Sequence, residues 1–152
     1  MRTMNELAFE DFPPGRVFEL GTVVVDREEM VAFARRFDPQ PFHIDEKAAE
    51  TSLFGGLIAS GWFTMGLWMR AYADGVLARA AALGSPGGDE VSWPAPVFAG
   101  DELTASMEVI EARRSRSRPE IGLVKIRALM RRREAVVLRA SFTGMYGVRD
   151  AG

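Results

Sequence analysis

Three runs of alternating apolar and polar residues occupy the last third of this chain. Leu103, Ala105, Met107 and Val109 alternate with Thr104, Ser106 and Glu108. Val124, Ile126, Ala128 and Met130 alternate with Lys125, Arg127 and Leu129, and Val136, Leu138, Ala140, Phe142 and Tyr146 form a third period-two run. Successive strand side chains point to opposite faces, so each run predicts a half-buried strand. The intervening residues 113–119 and 131–134 are rich in arginine and predict solvated turns. Near the start, residues 17–25 follow Pro13-Pro14-Gly15 and predict one further strand.

Between these strands the period changes. Asp26 with Glu29 three residues later predicts a capped helix that carries Met30, Phe33, Ala34 and Phe37 on one face. Asp38-Pro39 should end it, because a proline disfavours helical geometry in the residue before it. Asp45 is placed to cap a short turn through Ala48 and Ala49. From 57 to 83 the chain is helical in pattern and apolar on most sides, including Trp62, Met65, Trp68, Met69 and Tyr72. Some 25 helical residues would run about 38 Å. The glycine-rich residues 81–88 are expected to break that helix, and residues 90–98, interrupted by Pro94 and Pro96, to give at best an edge or short strand. One strand, helices and then an antiparallel meander predict an α+β layer structure with a long helix against a sheet.

Composition narrows the class. The chain has 152 residues, enough for one domain with its own core, and 47% hydrophobic with 26% charged residues is an ordinary globular balance. A net charge of −2 gives no electrostatic reason to expect nucleic acid. With no cysteine and one histidine, neither a thiolate nucleophile nor a zinc site is expected. The first residues lack the apolar core of a signal peptide, and no stretch reaches the roughly 18 apolar residues of a membrane span, so a cytoplasmic protein with no membrane partner is expected.

The candidate chemistry lies in Phe37-Asp38-Pro39-Gln40-Pro41-Phe42-His43-Ile44-Asp45. The two prolines forbid regular helix there and stiffen the loop. A carboxylate and the lone imidazole five residues apart suit proton transfer near neutral pH. Gly61 follows His43 by eighteen residues, in Phe54-Gly55-Gly56-Leu57-Ile58-Ala59-Ser60-Gly61. Pro94-Ala95-Pro96-Val97-Phe98-Ala99-Gly100-Asp101-Glu102-Leu103 follows.

Taken together these three ordered motifs resemble the MaoC-like dehydratases, a group that includes the (R)-specific enoyl-CoA hydratases, over residues 15–148. The resemblance implies a single hot-dog domain, its curved antiparallel sheet wrapped around a long central helix, with residues 1–14 and 149–152 as flanking segments. It implies a homodimer acting on an acyl-CoA or acyl-carrier thioester, with no metal or redox cofactor. Asp38 and His43 would grip one water that adds to a 2-enoyl thioester, and Gly61, with Ser60 and Gln40 beside it, would meet the thioester oxygen. Two positions depart from the family pattern: Gln40 stands where many hydratases carry Asn, and Met69 where several carry a serine. Two other functions fit a hot-dog domain: a thioesterase directing water at the carbonyl carbon, and a non-catalytic acyl-thioester-binding subunit. Asp38, His43 and Gly61 together favour hydration, since a binding module needs none of the three. The arginines at 113–118 and 131–133 have a second reading as contacts for coenzyme A phosphates.

Overall fold

The structure, a computed structural model, describes residues 6–149; residues 1–5 and 150–152, parts of the expected flanking segments, lie outside the described residues. In chain order the elements are β1 (Val17–Val24), α1 (Arg27–Phe37), α2 (Pro41–Ile44), α3 (Glu46–Glu50), α4 (Gly61–Gly75), β2 (Ala82–Ser92), β3 (Glu102–Arg114), β4 (Ile121–Arg132) and β5 (Ala135–Gly147). Short 3-10 turns stand at Phe9–Asp11 and Leu77–Arg79. The strands form one antiparallel sheet in the order β1-β3-β4-β5-β2. β3, β4 and β5 are the expected meander. β1 lies on the free side of β3, with Val17 opposite Glu108 and Val24 opposite Glu102, and β2 closes the other edge.

The alternation seen in sequence becomes the core. Leu103, Ala105, Met107 and Val109 on β3, and Val124, Ile126, Ala128 and Met130 on β4, are all at most 1% exposed. On β5 the phase slips. The register shifts between Met130 and Arg131, and Val137 and Leu138 are both buried while Val136 is not. A bulge of this kind adds a residue to one strand and resets which side chains face inward.

α4 lies against the inner face of this sheet. Its Trp68 is fully buried and its indole Nε1 donates to the Ser106 carbonyl at 2.9 Å. One turn on, Tyr72 stacks on Trp68 and shares a hydroxyl–hydroxyl hydrogen bond with Tyr146 of β5. Burial pushes the Tyr72 phenol up to about 12, against the lowering effect of that bond. Burial also pushes Tyr146 up, so both stay neutral. Phe12 stacks on Tyr146 with ring centroids 4.1 Å apart, which carries the N-terminal residues into the same core.

Several expectations are corrected. The central helix spans 15 residues rather than the whole of 57–83. Residues before it are extended: Ile58 bridges Phe98 and Ala59 N–H donates to the Val97 carbonyl at 2.8 Å. The helix starts where the Ser60 hydroxyl accepts from Trp62 N–H, and it stops at Gly75, whose carbonyl is taken by the Arg79 guanidinium at 3.0 Å. The glycine-rich stretch read as a break belongs to β2. Glycine's conformational freedom explains it: Gly84 and Gly87 have φ of 104° and 141°, and the pairing with β5 shifts register around them. Pro86 is tolerated because β2 is an edge strand. The segment 38–45 is partly helical. Pro41 opens the one-turn α2, where its missing N–H costs nothing. Asp26 and Asp45 cap α1 and α3 as expected, accepting from Glu29 N–H and from Lys47 and Ala48 N–H. Not every arginine of the 131–133 turn is solvated. Arg132 donates to Asp101 Oδ2 and to the Pro96 carbonyl, each at 2.8 Å.

Candidate active site

Three elements deliver the site. The C-terminus of α1 presents Asp38, the turn α2 presents His43, and the strand-like residues 57–60 lead into Gly61 at the first turn of α4. Ile58 N–H donates to the Phe42 carbonyl at 3.2 Å, and the Ile58 carbonyl faces His43 Nδ1 at 2.8 Å. A carbonyl only accepts, so Nδ1 carries a hydrogen and Nε2 is the ring atom free to exchange a proton. Nε2 faces Asp38 Oδ2 at 3.3 Å. The imidazole is 5% exposed, whereas the Asp38 side chain keeps about one-fifth of its surface.

Asp38 is held by two further donors. Gln40 Nε2 donates to Oδ1 at 2.7 Å and the fully buried Ser60 hydroxyl donates to Oδ2 at 2.8 Å. Burial pushes the carboxyl upward, but the bonds from Gln40 and Ser60 and the nearby His43 charge outweigh it, and the net shift is below the ordinary 3.8. The carboxylate is therefore an anion at neutral pH. Ser60 and Gln40 were expected on the substrate side. The structure places the polar end of each on Asp38, Gln40 also borders the cleft, and Ser60 also caps α4 through Trp62 N–H. Gln40 reaches the carboxylate despite being longer than the family's Asn.

Gly61 occupies the first position of α4, where backbone N–H groups have no intrahelical partner and the helix dipole favours negative charge. Its lack of a side chain has a specific tenant. A Cβ there would lie 2.6 Å from Trp93 Cδ2 and 2.7 Å from Trp93 Nε1. That nitrogen donates to the Gly61 carbonyl at 2.9 Å, and the ring meets Trp62 edge to face. Trp93 was not singled out in the sequence, since it lies within the 90–98 stretch that Pro94 and Pro96 interrupt. Asp38, His43, Gly61, Trp62 and Trp93 share a cleft of about 400 Å³, whose other walls include Gln40, Phe42, Phe54, Thr64, residues 94–97 and Val137. Phe98 N–H donates to Asp101 Oδ2 at 2.8 Å, so Arg132 and Asp101 together fasten the 94–101 wall. Met69, the other departure, lies away from the cleft. A larger, open hollow between α1 and α3 carries an Arg27–Glu46 ion pair but no acid–imidazole pair. Among the described residues no group of three or more His, Cys, Asp or Glu side chains is placed to hold a metal. No helix among them is long and apolar enough to cross a membrane.

The description "MaoC like domain" matches residues 11–128, well over half the chain. The chain belongs to the MaoC-like family. A MaoC-like dehydratase from Rhodospirillum rubrum is 38% identical and superimposes with a TM-score of 0.86, over 94% of this chain and 98% of that one. An (R)-hydratase from A. caviae involved in PHA biosynthesis is 25% identical with a TM-score of 0.66, over 89% and 97% of the two chains. The uncharacterized protein YdeM of Bacillus subtilis (strain 168) is 29% identical over 126 residues, 79% of this chain and 84% of that protein. The sheet on a central helix is thus the MaoC-like hot-dog fold in a single domain.

Proposed function

We propose that this MaoC-like protein is an acyl-thioester hydratase, adding water reversibly to a 2-enoyl thioester to give the 3-hydroxyacyl thioester. The observation that carries the reading is the pairing of an anionic, doubly hydrogen-bonded Asp38 with a His43 whose free nitrogen faces it across 3.3 Å. One water bridging Oδ2 and Nε2 is oriented by both. As its oxygen adds to C3, its proton passes to His43, and Asp38 stabilises the imidazolium. The pair then returns a proton to C2 on the same face, so no net proton is consumed. The negative charge developing on the thioester oxygen meets the N-terminus of α4 at Gly61. The conjugated thioester already polarises the double bond, so the reaction as written needs neither metal nor redox cofactor.

The proposal includes a homodimer. β2 leaves an unpaired sheet edge, and Met69, Leu83 and Val91 are 41–50% exposed, the apolar surface that a partner would cover. Light scattering at micromolar concentration should return twice the chain mass, and a monomer would refute this part.

Crotonyl-CoA tests the reaction. Loss of the conjugated enoyl absorbance without release of free thiol is expected. Thiol release with no hydration would overturn the reading in favour of a thioesterase. Binding without turnover across short, medium, branched and aromatic acyl-CoAs would make the protein a non-catalytic binder.

A further inference from the structure

His43, Ser60 and Thr64 are buried polar residues, and the first two commit their side chains to the Ile58 carbonyl and to Asp38. Thr64 does not. It stands in the first turn of α4, is 1% exposed and borders the cleft. A threonine in or beside a helix commonly returns its hydroxyl to a carbonyl three or four residues back. Thr51, just past α3, does so, donating to the Ala48 carbonyl at 3.2 Å. In α4 the Ser60 carbonyl takes the Phe63 and Thr64 N–H groups at 3.0 and 3.2 Å, and the Thr64 hydroxyl has no hydrogen-bond partner among the described residues. No unpartnered side-chain oxygen among those residues is sealed from solvent, so the sliver of surface that Thr64 keeps belongs to its hydroxyl. That sliver opens into the cleft.

The donors around it are nearly all taken. A helix N-terminus leaves N–H groups without an intrahelical acceptor. Here the Ser60 hydroxyl answers Trp62 N–H at 3.3 Å and the Ser60 carbonyl answers Phe63 N–H, which leaves Gly61 N–H without an acceptor among the described residues. One N–H alone then faces a thioester oxygen that has two lone pairs. Cα–Cβ bonds tilt towards the N-terminus of a helix, so Thr64, three positions on, projects over the turn that Gly61 opens. The attacking water needs no such third partner, since Asp38 and His43 already orient it. Resting on the hydratase reading of the cleft, we propose that the Thr64 hydroxyl is the second donor to the thioester oxygen and completes a two-donor hole with Gly61 N–H. Its proton stays on the threonine throughout, and the bond strengthens as negative charge gathers on the acceptor.

The test uses the full chain as the parent, the near-isosteric Thr64→Val and the hydroxyl-keeping Thr64→Ser. Steady-state hydration of crotonyl-CoA is measured beside isotope-edited infrared spectra of bound butanoyl-CoA, a saturated thioester that cannot react. Thr64→Val should lower kcat by about a hundredfold, the scale of one oxyanion donor, while KM changes by less than about threefold. The thioester carbonyl band of bound butanoyl-CoA should lie below its position in water for the parent and move up in Thr64→Val, because a lost donor leaves the carbonyl less polarised. Thr64→Ser should restore both readings. Should the valine variant be recovered unfolded, Thr64→Ala carries the same measurements. A kcat within about threefold of the parent in Thr64→Val overturns the assignment. So does a fall in kcat with the band unmoved or with no recovery in Thr64→Ser, since a packing role predicts those results. A band that responds to Thr64 in a protein that hydrates no enoyl-CoA refutes the hydratase reading and leaves the donor standing. Failure of the parent to bind butanoyl-CoA removes both.

Discussion

Replacing Ser60 by alanine separates two jobs that one hydroxyl performs. It donates to Asp38 Oδ2 at 2.8 Å and accepts from Trp62 N–H at 3.3 Å, inside a fully buried residue. Losing a helix N-cap costs about 0.5–2 kcal/mol, and losing a hydrogen bond to a charged group about 1.5–3 kcal/mol. Asp38 keeps some solvent, so the low end of each range applies, giving about 2 kcal/mol at neutral pH. For a chain of this size that is about 4–8 °C in Tm. The two parts differ in pH dependence. The folded pKa of Asp38 lies below its ordinary value, so its contribution is fully present above that value and is lost as pH falls through the folded pKa. Ser60→Ala removes one of the interactions that lower it, and the folded pKa rises. The stability gap between parent and variant should therefore be widest near pH 7 and narrow on acidification to about 0.5 kcal/mol, the cap alone. Guanidinium melts at a series of pH values measure the gap. A loss of the same size at every pH would show that the hydroxyl serves only as a cap, and the argued coupling to the carboxylate would be wrong.

Asp38→Asn and His43→Ala should each lower turnover by about a hundredfold to ten-thousandfold, and the double variant should be little worse than the poorer single one; additive losses in steady-state hydration would argue against one shared water. Gly61→Ala places a methyl against the Trp93 ring, so a tenfold or larger loss of rate is expected, on the scale of about 1.4 kcal/mol, with partial recovery in Gly61→Ala/Trp93→Ala. No recovery would mean that the ring is not what Gly61 accommodates. Arg132→Met strips donors from Asp101 and the Pro96 carbonyl and should cost about 1–3 kcal/mol, with KM raised more than kcat is lowered. An unchanged melting midpoint would show that the 94–101 wall stands without it.

The strands and the caps were legible because their cause is local. On β3 and β4 every predicted inward residue is buried, and Asp26 and Asp45 cap the helices their positions suggested. The third run was half legible. A bulge between Met130 and Arg131 rephases β5, and period alone does not reveal a bulge. The central helix was overdrawn at both ends because Leu57, Ile58, Val76 and Ala80 are buried outside helix, and burial gives the same apolar composition in either conformation. β2 was missed because φ above zero at Gly84 and Gly87 looks like a break in sequence and serves an irregular edge in space. At the site, the motif brought Asp38, His43 and Gly61 together. It gave no sign that Ser60 and Gln40 turn towards Asp38 or that Trp93 fills the space beside Gly61, since those are contacts across 2 to 32 residues of chain.

The strand order also dictates a timetable for synthesis. Among the described residues β1 neighbours only β3 and β2 only β5, so the described part of the first hundred residues contains no two strands that pair with each other. A ribosome therefore releases Asp38, His43, Gly61 and the apolar side of α4 well before the surface that covers them exists. Val137, a wall of the cleft, arrives on the last strand. Contacts this distant in sequence slow folding and leave a nascent chain open to aggregation and dependent on chaperones. Fragments that stop short of β5 should be recovered as insoluble or chaperone-bound material, and circular permutants that begin at β3 should acquire structure earlier during translation than the natural order allows.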